Sequence, residues 1–148
     1  MNTASLLIQN AKIVSSASIE ETDLWIEAGK IRSLGTIPCN LHPEQIIDAR
    51  HLFVLPGVID GHVHFREPGM EWKEDLSTGT KAAVSGGVTS FLEMPNTRPS
   101  TTTAETLAQK KELASQKALA HYGFFIGASS DNLGQLNNIP GIPGIKVF

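Results

Sequence analysis

From Pro56 onward the sequence keeps switching between two patterns. GVIDGHVHF, VTSFLEM and LAHYGFFIG are apolar, β-prone runs, and between them stand EWKEDLSTGTKAAVSGG and AETLAQKKELASQKA, both helical in character. In the first helix Leu76, Ala83 and Val84 fall at i, i+7 and i+8, and the Gly86-Gly87 pair supplies a stop. Ahead of the second, Thr102 and Glu105 have capping-box spacing. Strand–helix–strand–helix–strand specifies parallel β/α units. SSDNLGQLNN follows as a short helical or irregular segment, and GIKVF opens one more strand.

The residues before Pro56 carry no helical periodicity. LLIQ and KIV are short β-prone runs. DLWIEAGKIRSLG reads as a hairpin with Leu24 and Ile26 on one face, Gly29 in the turn and Ile31 leading the return strand. TIPCNLHPE is a loop interrupted by Pro38 and Pro43, and QIIDARHLFVLPG returns to strand. The expected plan is a β domain over residues 1–55 leading into an α/β domain over 56–148. A closed β/α barrel takes about 250 residues, and three to four units cannot close one. The sequence is therefore expected to be a piece of a longer protein, incomplete at its C-terminal end.

Hydrophobic residues make up 41% of the 148 and charged residues 18%, which is the composition of a globular chain rather than a disordered one. A formal charge of −3 leaves no basic footprint for nucleic acid. Cys39 is the single cysteine, so no internal disulfide forms. The N-terminus lacks the pattern of a signal peptide, and no apolar run reaches membrane-spanning length. The expectation is a cytoplasmic protein without membrane or nucleic-acid partners.

The chemistry concentrates in DGHVHFREPG, residues 60–69. On a strand His62 and His64 point to the same side, and two adjacent imidazoles suit a zinc ion. They stand where a strand hands over to a loop, and in β/α barrels active sites are built at the C-terminal strand ends. Asp60 is placed either to orient a metal-bound histidine or to make a strand-end hydrogen bond. His121 reads as a core or rim histidine, and His42 and His51 as structural or solvated. Lys110 and Lys111 read as a wet helix face, and Trp72 as packing beneath the first loop.

PGVIDGHVHFREPG resembles the first-strand signature of the cyclic amidohydrolases in the amidohydrolase superfamily, most closely the dihydroorotases. AAVSGGVTSFLEMPNTRPSTT resembles the same family's second strand and following loop, and residues 1–54 its accessory β-sandwich half. The resemblance implies the first three to four units of a metal-dependent-hydrolase (β/α)8 barrel, preceded by a small β-sandwich segment. It implies two zinc ions, with His62 and His64 on the more buried one and Lys146, carboxylated, bridging the two. Arg66 would hold the substrate carboxylate, as a guanidinium fork suits, and Asn96 would join it. The second ion's histidines and a proton-shuttling aspartate would come from beyond residue 148, leaving this chain alone inactive.

The implied reaction is the reversible hydrolysis of dihydroorotate to N-carbamoyl-aspartate, a step of pyrimidine biosynthesis. Allantoinase is the rival within the class, although MPNT leans toward dihydroorotase. Hydantoinase leaves Arg66 without a carboxylate to meet. From another class comes a non-catalytic scaffold, against which the presence of His62, His64, Arg66 and Asn96 argues. The implied partners are a small-molecule substrate and, as assembly, either a homodimer or an association with aspartate transcarbamoylase.

Overall fold

The computed structural model describes residues 5–148, and the chain divides into two compact units, Met1–Pro56 and Gly57–Phe148. No helix among the described residues is long and apolar enough to cross a membrane.

The first unit is a mixed sheet around one long strand. LLIQ and KIV, read separately above, belong to a single strand β1 (Ser5–Val14). Asn10, at φ 60°, interrupts its register, and the Asp23 carboxylate receives the Asn10 N–H at 2.9 Å. β2 (Ile19–Glu27) pairs antiparallel with β1, and β3 (Lys30–Leu34) pairs antiparallel with β2. Ala28 and Gly29 both take positive φ in the turn between them, the geometry that matches a tight hairpin to strand twist. β4 (Gln45–Asp48) and β5 (Phe53–Val54) then lie parallel to β1 on its other edge. Leu7, Ala11, Leu24, Trp25 and Ala49 are buried, while Ile26 is half-buried.

The second unit is built from parallel β/α crossovers. β6 (Val58–Val63), α1 (Leu76–Ser85), β7 (Val88–Glu93), α2 (Ala104–Lys117) and β8 (His121–Phe124) follow in order, and the sheet runs β6-β7-β8. Phe125 alone separates β8 from β9 (Ile126–Gly127), which pairs in parallel with β10 (Ile145–Lys146). A 3-10 turn at Leu136–Asn138 lies between them. Phe91, Phe124, Leu76, Leu107 and Ala114 form the core, with Phe65 edge-on to Phe91 at 4.9 Å between ring centroids. Val58 and Ile59 on β6 and Ile145 on β10 are exposed, so each of these strands carries uncovered apolar side chains.

Several local readings change. α1 starts only at Leu76, because Asp75 caps it by accepting the Thr78 N–H at 2.8 Å. Its buried stripe is Leu76, Gly79 and Thr80 rather than Leu76, Ala83 and Val84. The cap of α2 is one residue later than expected: Thr103 and Thr106 exchange backbone and hydroxyl hydrogen bonds at 3.1 Å, so the box is Thr–Thr. Trp72 is 79% exposed, with the Lys73 ammonium over its ring, and packs under nothing.

Gly79 faces the Phe65 ring so closely that an added Cβ would lie 2.6 Å from it. Gly79→Ala should therefore destabilise the unit by about 1–3 kcal/mol, although glycine-to-alanine within a helix normally gains about 1 kcal/mol. Urea unfolding monitored by circular dichroism reads the sign.

Candidate active site at the strand ends

The C-terminal ends of β6, β7 and β8 lie along one edge of their parallel sheet, as the pairings Val63↔Glu93 and Glu93↔Phe124 require, and β9, one residue beyond β8, carries β10 beside it through Gly127↔Lys146. The residues singled out in the sequence leave from this edge. His62 and His64 direct their rings to the same side, with Nε2 atoms 3.3 Å apart. Two nitrogens on one tetrahedral ion at 2.0–2.1 Å each stand about 3.3 Å apart, so the pair fits a shared zinc. The same separation also permits an imidazole–imidazole hydrogen bond. Among the described residues no third His, Cys, Asp or Glu converges with them. Partial desolvation pushes the His64 pKa down, and the positive charges of Arg66, His62, Lys146 and Lys110 push it the same way. Neutral imidazole is the form that ligates.

Arg66 stands at φ 68°, in the left-handed region, and its guanidinium Nη1 donates to the Asn96 carbonyl oxygen at 3.2 Å. Among the described residues it pairs with neither Glu67 nor Glu71. Glu67 is buried, accepts the Leu76 N–H at 2.9 Å and pairs with Lys117, whose ammonium is lifted by that hydrogen bond. Glu71 accepts from Gly69 N–H at 2.8 Å. Asn96 meets Arg66 through its backbone, and its side-chain Oδ1 is buried with no hydrogen-bond donor among the described residues. Beside it is a hollow of about 210 Å³ lined by Pro95, Asn96, Thr102, Gly127, Ala128 and Phe148. Lys146 is half-buried, its Nζ 5.7 Å from the Phe148 ring centroid. Asp60 takes the strand-end role, accepting the His62 N–H at 3.0 Å.

The remaining histidines lie elsewhere. His121 opens β8, at the opposite end of the strand from this edge, and is exposed rather than in the core or at the rim. His42 and His51 are exposed in the first unit.

The sequence reading missed a buried ion pair beneath these loops. Lys110, expected to be wet, is 0% exposed, and its Nζ is 3.2 Å from Oε2 of Glu93, also 0% exposed. Burial pushes the Glu93 carboxyl up and the Lys110 ammonium down, and their mutual attraction opposes both shifts. Lys110 also donates to the Met94 carbonyl at 3.2 Å, while Glu93 Oε1 accepts the Arg66 N–H at 3.2 Å. Lys111 is half-buried and donates to the Gly141 carbonyl at 3.1 Å. The missed signal was the stripe Leu107, Lys110, Ala114, spaced three and four, which puts Lys110 on the inward face of α2.

The model of the amidohydrolase family matches residues 53–139. A dihydroorotase from Pelobacter propionicus is 47% identical over 100 residues, covering 64% of this chain and 23% of that protein. An allantoinase from Deinococcus radiodurans is 38% identical over 146 residues, 97% of this chain and 32% of its own. The solved L-hydantoinase (dihydropyrimidinase) of Arthrobacter aurescens superposes with a TM-score of 0.87 at 28% identity, over 97% of this chain and 32% of that one. The chain thus spans about a quarter to a third of the length of these relatives.

The first and second loops are locked by the Arg98 N–H donating to the Pro68 carbonyl at 3.0 Å, and Gly69 sits at φ 89° against the Arg98 carbonyl. A Cβ there would lie 2.1 Å from that oxygen. Gly69→Ala is expected to cost at least about 2 kcal/mol, strain and clash together. A lowered melting temperature with faster proteolysis in the first loop is the readout.

Proposed function

The chain belongs to the amidohydrolase family, and from that premise we propose that the polypeptide carrying it is a zinc-dependent cyclic amidohydrolase acting on dihydroorotate. The observation that carries the reading is the 3.3 Å approach of the His62 and His64 Nε2 atoms beside Arg66, at a strand end. The likeness to dihydroorotases supports the choice of substrate. The proposed architecture is the opening of a (β/α)8 barrel, residues 56–148, preceded in the chain by the first part of a β-sandwich, residues 1–55.

His62 and His64 would hold a zinc ion, and Lys146, once carboxylated, would offer it an anionic oxygen ligand in place of an ammonium. Zinc held there would supply hydroxide at neutral pH and polarise the amide carbonyl. Arg66 takes the substrate carboxylate in a two-pronged, charge-assisted contact and cancels its charge. Asn96, across from it on the next loop, fixes the ring's orientation, so that the amide meets its attacker without a further search. The second ion's ligands and the proton-shuttling aspartate are contributed from outside these 148 residues. Dihydroorotate opens to N-carbamoyl-aspartate, and the reverse condensation uses the same groups.

Allantoin is the second substrate to consider, on the strength of the allantoinase that is similar over 97% of this chain. A panel of dihydroorotate, allantoin and hydantoin on the full-length enzyme decides: faster turnover of allantoin ends the first reading.

Arg66→Ala should lower kcat/KM for dihydroorotate about 100-fold, the scale of a lost bidentate ion contact in a desolvated site. His62→Ala and His64→Ala should each lower bound zinc, measured by plasma mass spectrometry after gel filtration. Lys146→Ala should abolish any stimulation of zinc uptake by bicarbonate.

A further inference from the structure

We propose that the buried Glu93–Lys110 pair is a positioning device that sets the conformation of Arg66 and thereby selects substrates bearing a carboxylate. The proposal rests on the reading of Arg66 as the carboxylate anchor. Arg66 stands at φ 68°, which side-chain-bearing residues avoid unless their surroundings hold them there. Its N–H is held by Glu93 Oε1 at 3.2 Å, and its carbonyl accepts the Met70 N–H at 3.1 Å. Glu93 is the last residue of β7, so the carboxylate pinning the first loop starts from the strand that feeds the second. Lys110 completes the arrangement from α2, with its Nζ 3.2 Å from Glu93 Oε2 and 3.2 Å from the Met94 carbonyl, two residues before Asn96. The Phe124 ring, 5.1 Å away, closes the lysine's surroundings.

Stability gives little reason to keep two charges here, because apolar residues of similar volume replace buried ion pairs at little or no cost. What apolar residues cannot do is accept the Arg66 N–H. The charge pair supplies that acceptor on the inner side of a loop whose outer side must present a guanidinium.

The test compares two double variants of the full-length, zinc-loaded polypeptide. Glu93→Gln with Lys110→Met removes both charges and keeps an oxygen acceptor for Arg66. Glu93→Leu with Lys110→Met fills the same volume and removes the acceptor. The measured quantity is the ratio of kcat/KM for dihydroorotate to that for dihydrouracil, the same ring without its carboxylate. The Gln/Met variant is expected to keep the ratio, and the Leu/Met variant to lower it about tenfold or more, the scale of one hydrogen bond that orients a charged group. In an Arg66→Ala background the Leu/Met change should lower the ratio no further. A purely structural role would leave the ratio unmoved, and a folded Leu/Met variant with an undiminished ratio overturns the proposal. Glu93→Met with Lys110→Leu replaces that variant if it does not fold. Should the parent turn over neither ring, the anchor reading falls, and amide exchange at Arg66 decides the positioning claim by itself. Slow exchange in the parent and the Gln/Met variant with fast exchange in the Leu/Met variant sustains it, and equal rates refute it.

Discussion

A carboxylate shut away from water must find its partners within the protein, and Glu93 finds two: the Lys110 ammonium beside Oε2 and the Arg66 N–H on Oε1. Each partner belongs to a different element. Glu93 ends β7, Lys110 comes from the middle of α2, and Arg66 lies in the loop after β6. One buried charge therefore fixes two neighbouring strand ends and the helix that covers them. Removing only one partner would strand the other in the core, so the three segments are held as a set.

Helix α2 serves this edge twice. Lys110 and Lys117, two turns apart on the same face, reach Glu93 and Glu67, the two acidic residues that flank the path of Arg66. Glu67 in turn accepts the first N–H of α1, so the start of one helix and the end of the next meet on one carboxylate. Above this layer the Arg98–Pro68 hydrogen bond joins the two loops, with Gly69 at their closest approach. The result is a strand edge whose polar side chains stand on backbone anchored from beneath.

Much of this was legible in residue order. The alternation after Pro56 gave the parallel crossovers, because β-prone runs separated by helix-length segments pair in parallel. The parity of His62 and His64 pointed to their common side, and the rings do meet there although β6 ends at Val63, one residue before His64. Other features depend on partners far away in the chain and carry no local mark. Lys110 looks like a solvated lysine until Glu93, 17 positions earlier, is known to lie under it. α1 buries Gly79 rather than Ala83 because the Phe65 ring fills the space a side chain would need. The single strand over residues 5–14 read as two runs because Asn10, at positive φ, interrupts the alternation without ending the pairing.

The order of strands in the second sheet, β6-β7-β8, is the order of synthesis. Every new strand of that sheet meets a neighbour that left the ribosome before it, at translation rates of about 5–20 residues per second. The two imidazoles thus leave the ribosome with the first strand, ahead of the strands that complete their edge. Sequential neighbours also keep each pairing of this parallel sheet as local as a β/α crossover allows, the arrangement with the lowest contact order open to it.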